Sequence, residues 1–244
     1  MKIFITTILL IIFGQINAQI ITDRPDQTEG SSSVGDGNLQ IESGLLLGFE
    51  NDNGKTVQQI LAPTTLFRYG ITDGIELRLV HQFETLKFQD KRTSGISDFE
   101  IGTKIELWNK AESKSEVAFL SHLIVPTGTK ELGSDKFGTV NKLSISHDVG
   151  DGFALGYNVG YDYFGEGKGN FTYALAFGIG INDKVSVYIE PYGDVLDFEA
   201  LILNFDTGFT YLANDNLQFD FSFGLGINHQ MNYVSAGVSW RILR

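Results

Sequence analysis

The tightest constraint on this chain is an alternation with a period of two. From Phe171 to Ile181, the residues Phe171, Tyr173, Leu175, Phe177, Ile179 and Ile181 share one face, against Thr172, Ala174, Ala176, Gly178 and Gly180 on the other. From Leu217 to Ile227, the same rule sets Leu217, Phe219, Phe221, Phe223, Leu225 and Ile227 against Gln218, Asp220, Ser222, Gly224 and Gly226. Side chains alternate across a strand, so both stretches read as strands with one apolar face and one polar or tiny face. No stretch of comparable strength carries the helical period. Twelve such segments are expected, near 39–49, 56–69, 74–88, 96–108, 115–126, 136–149, 152–164, 170–181, 184–193, 199–212, 216–227 and 231–243. Turn chemistry separates them, as at Asn51-Asp52-Asn53-Gly54, Thr72-Asp73-Gly74, Gly150-Asp151-Gly152, Asn182-Asp183 and Asn214-Asp215-Asn216. In the second segment Ile60 and Leu66 break the alternation, and Pro63, tolerated only at an edge or a bulge, sits inside it.

Composition narrows the function classes. The 244 residues include no cysteine, which excludes a disulfide scaffold, a thiolate zinc site and a cysteine nucleophile. With 18 basic and 30 acidic residues the net charge is −12, which argues against a nucleic-acid partner. At 42% apolar residues and 28 glycines, the chain is too apolar for a disordered acidic segment. Lys2, the apolar run Ile3–Phe13 and the small Ala18 describe a secretory signal peptide over residues 1–18. That run is too short for a spanning helix, which needs roughly 20 residues. Residues 19–38 then form a periplasmic leader or plug, and residues 39–244 the strands.

The strands admit a secreted sandwich or an all-β, closed antiparallel transmembrane barrel. Most segments reach the length a tilted strand needs to cross a bilayer, beyond the five or so residues of a soluble strand. Aromatic residues gather near strand ends, at Phe67, Tyr69, Trp108, Tyr163, Phe171, Tyr173, Tyr211, Tyr233 and Trp240, which suits interfacial girdles. Connections after the even-numbered segments are tight. Those after the third, fifth, seventh and ninth are longer, at Gln89–Gly95, Thr127–Asp135, Gly165–Gly169 and Asp194–Phe198. A barrel of the Gram-negative outer membrane has such short periplasmic turns and longer outer loops. The expected partners are outer-membrane lipid, the barrel-assembly machinery and a small-molecule solute.

On the barrel reading the polar face lines the lumen. Its selectivity candidates are Glu42, Arg68, Glu76, Arg78, Glu84, Asp98, Glu100, Lys104, Glu106, Asp206 and Asp220. Asp162, Glu190, Lys142 and Arg241 share that parity, with apolar exceptions at Leu46, Ile60, Leu66, Val80 and Leu86. Twelve strands lie between a side-chain-filled barrel and an aqueous channel, so interior residues decide what passes. One reading is a narrow, net acidic pore that favours cations or neutral solutes. The other is an ion-pair network that fills the lumen.

A family resemblance enters on particular residues. Thr22-Asp23-Arg24-Pro25-Asp26-Gln27-Thr28-Glu29 precedes Leu39-Gln40-Ile41-Glu42-Ser43-Gly44. Then come Arg68-Tyr69-Gly70-Ile71-Thr72-Asp73-Gly74, Gly95-Ile96-Ser97-Asp98 and Val125-Pro126-Thr127-Gly128. This succession resembles the outer-membrane barrel family associated with transport in the phenol meta-cleavage degradation pathway. It departs from that family at Gly30, where serine is usual, and in ending on Arg244 instead of an aromatic residue. The resemblance implies an outer-membrane location and a transport-like role, with aromatic or phenolic compounds named by the family's pathway. The interior path itself, with few apolar residues, fits small polar solutes better.

The Asp23–Glu29 segment is too polar for a strand. It reads either as a plug or gate built on Asp23, Arg24, Asp26 and Glu29, with Arg24 pairing to Glu76 or Glu106, or as a solvated leader. Enzyme chemistry finds little support: His122 points inward, whereas His81 and His147 fall on the lipid side and His229 lies in the last outer loop. A Ser–His pair needs Ser144 or another interior serine beside His122. No histidine pair has ligand spacing, and Gly165-Glu166-Gly167-Lys168-Gly169 lacks the helix of a phosphate cradle. No metal or cofactor is expected. Three functions stay open: a porin-like channel or transporter, a non-conducting structural or adhesion barrel, and a barrel enzyme using His122.

Overall fold

The computed structural model describes residues 20–52, 54–109 and 113–244, so the expected signal peptide lies outside the described residues. The strands are β1 Leu39–Asp52, β2 Lys55–Thr72, β3 Ile75–Phe88, β4 Lys91–Ile96, β5 Phe99–Asn109, β6 Ser115–Val125 and β7 Gly138–Gly150. They continue as β8 Phe153–Tyr163, β9 Asn170–Asn182, β10 Val185–Leu196, β11 Ala200–Asn214, β12 Leu217–Gly226 and β13 Gln230–Ile242. Neighbours pair antiparallel around the whole ring, and β1 closes it against β13 from Leu39↔Ile242 to Asn51↔Gln230. The strands β4 and β5 share β3 as their partner, β4 along Phe83–Phe88 and β5 along Ile75–Val80. They are two halves of one stave, interrupted at Ser97–Asp98, which gives a closed barrel of twelve staves.

The period of two sorts residues as in a transmembrane barrel, inside out relative to a water-soluble protein. Leu77, Ile101, Leu123, Leu175, Ile189 and Phe209 are exposed on the outer wall. Arg68, Glu76, Lys104, Glu190 and Asp206 are fully buried within. An apolar band of this extent needs lipid around it, because soluble monomers do not expose patches this large.

Three sequence expectations change. Gln89–Gly95 is no outer loop: Lys91–Ile96 folds back on β3, leaving only Gln89 and Asp90 as the turn. Likewise β10 runs on to Leu196, which shortens the following loop. In β2 the register shifts between Leu61 and Thr64, around Pro63. Proline lacks the N–H a ladder needs, so the strand bulges there and its parity reverses. Leu61, opposite Glu84, therefore faces the lumen, and Ile60, opposite Thr85, faces out.

Tyr233 is a fourth departure. It sits between Gly48 and Gly224 in the ladder, turns inward and is 7% exposed, so it belongs to no girdle. Tyr69, Trp108, Tyr211 and Trp240 do stand on the outer face.

Candidate functional site

The segment before β1 enters the barrel. Ile20 N–H donates to the carbonyl of Asp215, in the turn between β11 and β12 at the end where the chain termini lie. From there the segment climbs to an apex near Arg24–Gln27 and descends to Ser33, whose hydroxyl donates to the Asp73 carbonyl at 2.6 Å. Gly37 N–H donates to the Gly70 carbonyl at 2.9 Å, and the chain passes into β1. A Cβ on Gly70 would run into the Gly35 backbone, so the glycine of the Arg68-Tyr69-Gly70 motif makes room for the descending leg.

Each polar residue of the Asp23–Glu29 motif has a partner on the wall or faces one. Asp23 accepts from Arg78 Nη1 at 2.6 Å and from Lys104 Nζ at 2.9 Å, with Arg68 Nη1 at 3.4 Å. Arg68 grips Glu76 with two nitrogens, at 2.9 and 3.1 Å, and Glu42 with a third contact at 2.9 Å. Its remaining donor capacity goes to the carbonyls of Ser32 at 2.8 Å and Ile21 at 3.2 Å. Arg78 also reaches Glu76 at 2.9 Å and Glu29 at 2.8 Å. Asp23, Glu29, Glu42 and Glu76 thus share three cations, which desolvated carboxylates require. Burial alone would raise the Asp23 carboxyl, but Arg68, Lys104 and Arg78 hold it well below the ordinary range.

Arg24 binds elsewhere than expected. Glu76 is occupied by Arg68 and Arg78, and Glu106 accepts the Ser33 N–H at 2.6 Å. The Arg24 guanidinium instead lies over Gly44 and Gly237, direct partners in the β1–β13 ladder, where any Cβ would overlap it. From that slot it donates to Asp220 at 2.9 Å and Ser235 at 3.0 Å.

Beyond the apex, Glu190 accepts the Gln27 N–H at 2.7 Å and the Thr28 hydroxyl. Its ladder partner Asp206 accepts from Tyr233. Asp26 faces these two carboxylates and has no ion pair among the described residues, and burial first, then Glu190, pushes its carboxyl well above the ordinary range. Glu29 N–H donates to Asn158 at 2.6 Å, and the Ser31 hydroxyl to Ser146 at 2.8 Å.

The segment fills the half of the lumen nearest the termini. On the other side of its apex lie cavities of about 430 Å³, 210 Å³ and 500 Å³, all bordered by Gln27. Away from the plug, Glu50, Glu84, Glu100, Asp162 and Asp194 line them with Lys142, beside Leu46, Leu66, Val80 and Leu86. At the plug, Arg24 and Arg78 border the first together with Asp23, Asp26, Glu29 and Glu42. Of the candidates, Asp98 takes another role. Its carboxylate accepts from the backbone N–H groups of Thr127, Gly128 and Ser134 and ties down the loop between β6 and β7.

His122 bridges Arg78, which donates to its Nε2 at 3.0 Å, and Glu100, 2.9 Å from its Nδ1. Ser144 stands opposite Ala118, four residues along β6 from His122, so the structure does not bring that pair together. Sequence reasoning missed Glu190 and Tyr233 as plug and vestibule contacts. Both carry the inward parity, but only the ladder shows which inward residues meet the plug.

Residues 22–242 match the family model described as "Putative MetA-pathway of phenol degradation". No curated protein matches the chain in sequence. Among solved structures, an outer membrane channel from Pseudomonas putida F1 superposes with a TM-score of 0.73 at 12% identity, covering 87% of this chain and 98% of that one. The KdgM porin, solved with disordered oligogalacturonate, gives 0.57 at 11% identity over 82% and 98% of the two chains. The translocator domain of the autotransporter NalP from Neisseria meningitidis gives 0.51 at 13% identity over 85% and 89%. At these identities the likeness establishes the barrel fold.

Proposed function

The chain belongs to the MetA-pathway phenol-degradation family, and on that premise we propose that it is an outer-membrane channel for small solutes, shut at rest by its own N-terminal segment. The observation that carries this reading is how Asp23–Glu29 is held inside the ring: by side-chain and backbone polar contacts, with no strand pairing. Polar contacts can be exchanged for water, so the segment can leave without dismantling the sheet. The apolar outer wall supports a membrane location, and the tight turns beside the termini belong on the periplasmic side.

The vestibule supports a solute class. Carboxylates, Glu84 and Glu100 among them, outnumber the cations Lys142, Arg24 and Arg78 on this lining and so disfavour anions, and the strip Leu46, Leu66, Val80 and Leu86 offers a path for an apolar ring. A neutral phenol suits both features, whereas an aromatic carboxylate is opposed by the charge. Two of these carboxylates are open to direct test. Replacing Glu84 and Glu100 by Gln is expected to reduce cation preference, read as reversal potential across a planar bilayer in a salt gradient. Unchanged reversal potential would remove both residues from the permeation path. The buried ion-pair cluster favours a second reading, a permanently filled structural barrel. A folded chain that does not conduct even with Asp23–Glu29 deleted would establish that one.

A further inference from the structure

The β1–β2 and β3–β4 hairpins stand side by side at the end opposite the termini, and their register sets residues in rows on the outer wall. Leu47, Ile60, Thr85 and Ser94 form one row; Phe49, Gln58, Lys87 and Arg92 form the next toward the tip. Glu84 and Leu86 border the lumen, so Lys87 and its direct cross-strand partner Arg92 face out. Like charges facing each other across a ladder destabilise it unless something negative lies between them.

Among the described residues no carboxylate does so. Neither cation makes an ion pair or hydrogen bond among the described residues, in a chain whose net charge is −12. Two other cations at this rim are neutralised, Lys136 by Glu166 and Lys168 by Glu199, and Lys55 lies over the Phe88 ring. Two rows below the cations, past the hydrogen-bonded Thr85–Ser94 pair, the same face turns apolar at Phe83 and Ile96. Beside it, the outer edge of β4 has no partner strand, which leaves backbone donors free over Lys91–Ser94.

We propose that Lys87 and Arg92 dock the phosphate of an anionic glycolipid in the outer leaflet, with its acyl chains against Phe83 and Ile96. The proposal rests on the outer-membrane reading, which puts this end of the barrel at the cell surface. A lipid is favoured over free phosphate because the cations and the apolar Phe83–Ile96 pair share one outer face, with only the Thr85–Ser94 pair between them, and only a lipid uses both.

The test titrates the refolded full-length chain in phosphatidylcholine vesicles with fluorescent lipid A. The Lys87→Gln, Arg92→Gln double variant is expected to bind about thirtyfold more weakly, and Lys136→Gln as well as wild type. Equal affinity in wild type and the double variant would overturn the proposal. So would displacement of the lipid by inorganic phosphate at equal concentration, which would mark a free-anion site. A chain that shows no heat-dependent gel-mobility shift before lipid A is added has not formed a barrel. That result would remove the membrane reading itself, and the docking with it.

Discussion

Arg68→Met is expected to cost the barrel roughly 3–5 kcal/mol, the largest effect of any single substitution at the lumen. Arg68 is fully buried and holds Glu42 and Glu76 while facing Asp23 at 3.4 Å. Removing it leaves three carboxylates around an apolar side chain, and Arg78 and Lys104 are already engaged with two of them. The loss should appear as a lower urea midpoint for the refolded barrel. Lysine should recover only part of it, because one ammonium cannot make both the paired contact to Glu76 and the contact to Glu42. An unchanged midpoint in Arg68→Met would mean that these carboxylates are neutral or hydrated, and that the plug is not held by charge.

Deleting Asp23–Glu29 is expected to turn a largely closed channel into a continuously conducting one. The deletion removes the contacts to Arg78, Lys104, Asp220, Glu190 and Asn158 while leaving every strand pairing intact. On this reading the same segment is expected to give the intact channel a pH dependence with two limbs. The docked Asp23 is held well below the ordinary carboxylate pKa of about 4. Its contribution to docking is therefore present above that value and lost as pH falls through the docked pKa. Asp26 is the opposite case, raised by burial and by Glu190, with Asp206 and Asp23 also facing it. Its contribution is present below the ordinary value and lost as pH rises through the docked pKa. Open probability should thus pass through a minimum between the two. Asp26→Asn should flatten the alkaline limb, and Asp23→Asn should raise open probability across the range. A channel indifferent to pH and to the deletion would place the permeation path elsewhere.

Much of this fold was legible because strand parity is a local property. The start of β1 at Leu39, the turns at Thr72–Ile75 and Asn214–Leu217, and the inward direction of Arg68, Glu76, Arg78, Lys104 and Asp206 all follow from alternation and turn chemistry. What alternation could not supply was register. Ile60 was expected inside because the pattern was carried straight through Pro63, and the bulge reverses it. Tyr233 reads as an interfacial aromatic until the ladder sets it between Gly48 and Gly224. The Lys91–Ile96 segment looked like loop because its pairing is a short hairpin of mixed polar residues.

The site was legible to a similar depth. The Asp23–Glu29 motif was recognisable as a candidate plug, but its partners depend on which walls face each other across the lumen. Arg24 shows the limit most clearly. Its seat is made by two glycines, Gly44 and Gly237, some two hundred residues apart in sequence and adjacent only once β1 meets β13. No charge pattern in the chain announces that slot.

The most direct measurement is single-channel conductance of a barrel whose plug is tied down. The chain has no cysteine, so Ser31→Cys with Ser146→Cys introduces one defined pair, at hydroxyls 2.8 Å apart. With the disulfide formed, the channel is expected to stay closed, and reduction in the same bilayer should restore wild-type openings. Conductance identical before and after reduction, with the disulfide verified by mass spectrometry, would contradict gating by this segment.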